Sequence, residues 1–189
     1  MYLRCFIAIE ISEPIKKKIG ELMGILKRYN GDVKWAEPQN IHITLKFLGK
    51  TPDSLVPRIS DSLSNIVLSY EPFYIKISDV GVFPSRRHPR VIWVGVKDSE
   101  ILGKLKMDIE DSMEPLGFEK EDRDFKPHLT LGRARSQSGM ANIINELDNF
   151  KENDFGSLRV TSIRLMQSEL KPTGAFYHCL YEASFGGKF

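Results

Sequence analysis

At 189 residues the chain is long enough for one generous domain or two small lobes that share a core. Its composition, 41% hydrophobic, 28% charged and 10% aromatic, is that of an ordinary globular protein, and no apolar run approaches the ~20 residues a membrane span needs. A net charge of +2 excludes a long phosphate-tracking surface, so any nucleic-acid contact must come from local basic clusters acting on a small or terminal substrate.

The N-terminus, MYLRCFIAIE, has a short apolar run that ends at Glu10, without a basic leader or a small-residue cleavage site. It reads as a first strand over 3–10 and not as a signal peptide, which predicts a cytoplasmic protein. Ser12 then caps a helix through about 28, where Ile15, Ile19, Leu22 and Leu26 recur at helical spacing. Gly31-Asp32 marks a turn, VKWAE a short strand, and 41–48 a long one. Thr51-Pro52-Asp53 starts a helix to about 69, with Pro57 tolerated only near its first turn. Strands are expected near 72–79 and 90–97. Asp98 or Ser99 caps a helix to about 114 carrying Leu102, Leu105, Ile109 and Met113. A strand at 126–133, a helix near 138–149, and strands near 155–167 and 175–183 complete the chain.

Two stretches repeat. NIHITLKFLG (40–49) and KPHLTLGRAR (126–135) each carry His-x-Thr-Leu, with His42 and His128 separated by 86 residues (128 − 42). The same shift lays Phe6–Glu10 onto Ile92–Val96 and brings the following helices near one another. The pattern implies an internal duplication within one bilobal domain, 1–189, with approximate halves 1–88 and 89–189 whose lobes can exchange strands.

Side chains alternate faces along a strand. Ile41, Ile43, Leu45 and Phe47 then face the core, while His42, Thr44 and Lys46 face outward. In the second copy Leu129 and Leu131 point inward, and His128, Thr130 and Gly132 outward. If the halves pack about a pseudo-twofold axis, two imidazoles and two hydroxyls converge on one cleft. Histidine titrates near neutrality, so one copy can be neutral and the other protonated, as concerted acid–base catalysis requires. Thr44 and Thr130 can hydrogen-bond the non-bridging oxygens of a phosphate held between them. This equips metal-independent phosphodiester cleavage or its reverse. The four histidines do not cluster at metal-ligand spacing, so no metal and no cofactor are expected.

The sequence resembles the two-histidine (2H) phosphoesterase superfamily, and within it the RNA 2′,3′-cyclic phosphodiesterase branch, also called 2′-5′ RNA ligase. The resemblance rests on RCFIAIEI, VKWAEPQNIHITLKFLG, VFPSRRHPRVIWVGV, FKPHLTLGRAR and LMQSELKPTGAFYHCLYEASF, which together cover nearly the whole chain. It implies an α+β fold of two pseudo-symmetric lobes, built from antiparallel sheet with helices outside and a central cleft lined by the two His-x-Thr strands. It implies hydrolysis of RNA 2′,3′-cyclic phosphate ends to 2′-phosphomonoesters. His42 then matches the proton donor to the departing 3′ oxygen and His128 the proton acceptor that activates water. Spacing alone leaves either imidazole able to serve in either role. Thr44 and Thr130 match the phosphate-holding positions.

Phe47 and Arg133 each lie five residues after their histidine and could sandwich a nucleobase as substrate-binding residues. Strict alternation opposes this for Phe47, which reaches the cleft only if the strand twists or bulges near Gly49. Arg86, Arg87, His88 and Arg90 form a basic loop that either holds upstream RNA phosphates or is simply solvated. His178 is expected to be structural, and Cys5 and Cys179 to be reduced and buried. The expected partner is RNA ending in a 2′,3′-cyclic phosphate, tRNA fragments among the candidates, with no membrane and a monomeric protein. Three alternatives remain open at this point: 2′-5′ ligation of RNA halves, hydrolysis of another cyclic or 2′-5′-linked nucleotide, and a non-catalytic module that binds RNA ends.

Overall fold

A computed structural model describes residues 1–98, 100–172 and 174–186. These residues form nine strands and four α-helices: β1 (Tyr2–Glu10), α1 (Glu13–Lys27), β2 (Val33–Trp35), β3 (His42–Pro52), α2 (Val56–Val67), β4 (Phe73–Phe83), β5 (Val91–Lys97), α3 (Glu100–Met113), β6 (His128–Ala134), α4 (Met140–Leu147), β7 (Asp154–Val160), β8 (Ser162–Lys171) and β9 (Gly174–Ser184). All strand pairs are antiparallel. The order β7-β4-β5-β6-β3-β1-β8-β9 makes one sheet, with β2 added to β6.

That sheet is two lobes joined at a seam. β3, β1, β8 and β9 form one lobe, covered by α2 and α3; β6, β5, β4 and β7 form the other, covered by α1 and α4. Each lobe borrows from the other half of the sequence. β4 precedes β5 yet joins its lobe, and β8 and β9 come from the end of the chain to flank β1. At the seam, β3 and β6 pair only through Ile43 and Leu129 before diverging.

The helices form where the apolar period predicts them. Ile15, Ile19, Leu22 and Leu26 of α1, and Leu102, Leu105, Ile109 and Met113 of α3, are all buried. Ser12 stands at the N-cap of α1, but its side chain makes no capping hydrogen bond. The cap expected at Asp98 or Ser99 involves a residue outside those described, since Ser99 is not among them. Pro57 lies in the first turn of α2, where a missing N–H costs nothing.

Several element boundaries differ from the sequence reading: β4 runs on to Phe83 and β8 to Lys171, and two other differences change how strands pair. Thr51 and Pro52 continue β3, because Leu3 and Tyr2 extend the β1 ladder to meet them; a 3-10 turn at Asp53–Leu55 follows, and α2 starts only at Val56. The strand expected at 155–167 is two strands that part at Thr161. β7 pairs with β4 and β8 with β1, so the chain passes from one lobe to the other at that point. Cys179 is exposed rather than buried, while Cys5 is in the core. No helix among the described residues is long and apolar enough to cross a membrane.

Candidate active site

The seam assembles the repeated motifs. Ile43 pairs with Leu129, and both are fully buried. Continuing this antiparallel register by one residue each way sets His42 opposite Thr130 and Thr44 opposite His128. All four side chains therefore leave the sheet on the face opposite the core. Directly opposed residues have Cβ atoms about 5 Å apart and diagonal neighbours about 7–8 Å. By that register His42 and His128 are diagonal neighbours, on strands that part beyond the Ile43–Leu129 pair.

A bulge in each strand then reverses the expected alternation. β1 pairs Ala8 with Thr44 and Ile7 with Lys46, so Leu45 is an extra residue and Leu45 and Lys46 both point inward. A second bulge at Leu48, beside Gly49 with its φ of 65°, does the same. Lys46 is consequently not an outward cleft residue: it is 1% exposed. Phe47 turns to the histidine side and is 59% exposed. In β6 the extra residue is Leu131, since β5 pairs Trp93 with Thr130 and Ile92 with Gly132. Gly132 thus faces inward, again against simple alternation, and Arg133 faces out. A Cβ at Gly132 would lie 2.6 Å from Val33 Cγ1, so the missing side chain is what lets β2 close on β6.

The pairing also refines the repeat. Glu10 sits opposite His42 and Gly95 opposite His128, an offset of 85 (95 − 10), so β1 matches β5 one residue short of the 86 that relates the histidines.

Both rings are held alike. His42 Nδ1 donates to the Asn40 carbonyl and His128 Nδ1 to the Lys126 carbonyl, each at 2.7 Å; a carbonyl only accepts, which fixes the proton on Nδ1. Nδ1 of each ring is thus engaged with the backbone, and Nε2 is the ring nitrogen not used in that bond. Asn40 is itself anchored, its Nδ2 donating to the Ala175 carbonyl at 2.9 Å. Aromatic walls complete each pocket. Phe6 lies 4.8 Å from the His42 ring centre and Tyr177 meets it edge-on at 5.3 Å; Phe83 meets His128 edge-on at 5.1 Å.

Burial pushes both imidazoles below their ordinary value, and the backbone hydrogen bonds offset this only partly. At His128 the Arg133 guanidinium pushes the same way as burial. In Arg133→Gln that charge is gone, so the His128 titration is expected to move to higher pH, with His42 moving less; an NMR titration of the two rings checks it. The Tyr177 phenol is raised by burial, while the charges of Arg133 and Arg4 oppose the shift, so both guanidinium groups act on this wall of the cleft.

Other predicted residues lie outside the seam. Arg86 is engaged by both carboxylate oxygens of Asp148, at 2.8 and 2.9 Å; Arg87, His88 and Arg90 are in the same loop, with Arg87 and His88 exposed. His178 is exposed and lies 3.2 Å from the Glu169 carboxylate. Sequence reasoning missed Tyr177, which sits in the same AFYHCLYE stretch and reaches the cleft because β9 folds back beside β8. It also missed the ion cluster behind the seam, in which Glu110 accepts from both Lys46 and Lys106. Lys46 also donates to the Glu119 carbonyl at 2.7 Å, and Lys106 to Glu121 at 2.9 Å. A charged residue at an i+4 partner of Lys106 on α3 was the available signal. Among the described residues no three His, Cys, Asp or Glu side chains gather as a metal-ligating group.

The chain is similar to known proteins. The profile of the family described as LigT-like phosphoesterase matches residues 9–93 and again 94–177. A protein of Methanothermobacter thermautotrophicus named RNA 2′,3′-cyclic phosphodiesterase is 37% identical over 180 residues, covering 94% of this chain and 96% of that one. A protein of the same name from Archaeoglobus fulgidus is 37% identical over 176 residues, covering 93% and 96%. Among solved structures, a protein of Thermus thermophilus superposes with a TM-score of 0.83 at 26% identity, covering 99% of this chain and 100% of that one. E. coli LigT complexed with 3′-AMP superposes with a TM-score of 0.78 at 22% identity over 98% and 99%, a likeness of fold.

Proposed function

The chain belongs to the LigT-like phosphoesterases, and from that premise we propose that it is an RNA 2′,3′-cyclic phosphodiesterase, opening the cyclic phosphate to a 2′-phosphomonoester with two histidines and no metal ion. The observation that supports this reading is the Ile43–Leu129 pair, whose neighbours in the two strands are the two histidines and the two threonines.

In the proposed step, neutral His128 accepts through Nε2 a proton from a water molecule, whose oxygen forms a bond to phosphorus. The bond from phosphorus to the ribose 3′ oxygen breaks, and His42, protonated on Nε2, gives its proton to that oxygen. The product carries a 2′-phosphate and a free 3′-hydroxyl; His42 ends neutral and His128 protonated, and solvent restores both. Burial by itself disfavours imidazolium, but an anionic phosphate between the rings favours it on one of them, so substrate itself helps charge the acid. The Thr44 and Thr130 hydroxyls donate to the non-bridging oxygens, where charge builds as water adds. Phe47 and Arg133, turned outward by matching bulges, flank the terminal base.

The test is a short RNA ending in a 2′,3′-cyclic phosphate, incubated with the protein and EDTA, with the ends resolved by chromatography. Conversion to the 2′-phosphate is expected. A 3′-phosphate product would reverse which oxygen leaves, and loss of conversion on adding EDTA would overturn the metal-free scheme. An RNA that stays bound and unconverted would mark a recognition module.

A further inference from the structure

The histidine face of the sheet continues beyond the four motif side chains. β1 alternates along its first residues, so Tyr2, Arg4 and Phe6 all project on the side of His42. Cross-strand pairing places Phe6 beside Phe47, Arg4 beside Lys50 and Tyr2 beside Pro52. Three residues of strand separate Phe47 from Lys50, about 10 Å at most. From the seam outward the face therefore presents Thr44, then Phe47, then Arg4 with Lys50, then Tyr2.

Several features of this stretch suit one kind of ligand. Tyr2 is 61% exposed and Phe47 59%, so both rings are open to solvent on this face. Lys50 Nζ lies 4.3 Å from the centre of the Tyr2 ring. Among the described residues no carboxylate lies within ion-pair distance of Arg4 or Lys50, whereas Arg86 of the basic loop is held by Asp148. The nearby Asp53 carboxylate lies 3.3 Å from the N-terminal ammonium. Alternating rings and cations continuous with the proposed phosphate site are what single-stranded nucleic acid requires, since rings stack on bases of any sequence and cations take the backbone.

The geometry points to a track for RNA 5′ of the reacting end: Arg4 and Lys50 hold the phosphodiesters preceding the cyclic terminal nucleotide, and Tyr2 supplies a stacking face. This rests on the proposed RNA-end chemistry and adds that the protein acts on oligonucleotide ends in preference to free cyclic mononucleotides.

The test compares a nucleoside 2′,3′-cyclic monophosphate with a hexanucleotide ending in a 2′,3′-cyclic phosphate, on the unmodified protein and on Arg4→Gln/Lys50→Gln. The hexanucleotide KM is expected to be lower by about 5-fold or more, which two exposed charge contacts supply together. The double variant should lose that advantage, read as the ratio of hexanucleotide to monophosphate KM within the same variant, so that any effect of Arg4 on the Tyr177 wall cancels. The slope of log KM against log salt should also fall by about 1.4, two phosphates at ~0.7 each. Equal KM values in the unmodified protein, or an advantage that survives the double variant with its salt slope intact, would overturn the track. If neither compound is hydrolysed, the proposed function fails. The track is still decided, by fluorescence anisotropy of a labelled hexanucleotide ending in a 2′-phosphate: binding weakened in the double variant supports it, and unchanged binding refutes it.

Discussion

His42→Ala and His128→Ala are each expected to lower turnover of a cyclic-phosphate RNA end by at least ~10², the lower range for removing a general acid or base. The two sites are alike in construction, each ring donating from Nδ1 to the carbonyl two residues before it and each flanking the Ile43–Leu129 pair. Comparable losses should follow at both. The double variant should fall little further than either single one, because acid and base act in one step. Near-normal rates in either single variant would sink the paired mechanism. The pH profile of kcat/KM should be bell-shaped, with its optimum on the acid side of 6.5, since burial lowers both imidazoles from that ordinary value. The same shifts bear on stability. An imidazole lowered in the folded state binds its proton more weakly there than in the unfolded chain. Stability from this source is therefore complete above 6.5 and declines as pH falls through the folded-state values.

Glu110→Ala is expected to cost about 3–5 kcal/mol of folding stability, because it leaves the buried Lys46 ammonium with only the Glu119 carbonyl and the Lys106 ammonium with only the half-exposed Glu121. Lys46 and Lys106 are 1% and 5% exposed, and both donate to the Glu110 carboxylate. For a chain of this size the loss corresponds to a Tm lower by roughly 6–20 °C, readable by calorimetry. Burial alone would raise the Glu110 carboxyl, but the hydrogen bonds and charges of Lys106 and Lys46 outweigh it and hold the group below its ordinary value. Its contribution is thus present above about pH 4.5 and is lost as pH falls through the lower folded-state value; Glu110→Gln should flatten that limb. Replacing Lys46, Lys106 and Glu110 together by apolar residues of similar volume should come out near neutral, since no uncompensated charge remains. A Tm unchanged in Glu110→Ala would show that water reaches the cluster and relieves the two lysines.

Most of the secondary structure was legible because it depends on local period. Ile15, Ile19, Leu22 and Leu26 mark α1 whatever the helix packs against, and the 41–48 alternation marks β3. The boundary errors arose where a neighbour strand decided the outcome. Thr51 and Pro52 belong to β3 because β1 is long enough to pair with them, and Thr161 divides β7 from β8 because their partners lie in different lobes. Tyr177 escaped notice for the same kind of reason, its approach to His42 spanning most of the chain.

By itself, the amino-acid sequence determined that two His-x-Thr strands exist, that each carries its polar pair on one face, and that their surroundings repeat. Those are properties of residue order at a spacing of two, and packing elsewhere does not change them. Only the tertiary structure decided which residues beyond the threonines join the site. The extra residues Leu45 and Leu131 are defined by the strands they oppose, so Lys46 and Gly132 turn inward and Phe47 and Arg133 outward. A bulge is a mismatch in length between two hydrogen-bonded ladders, and one strand read alone has no ladder to be mismatched with.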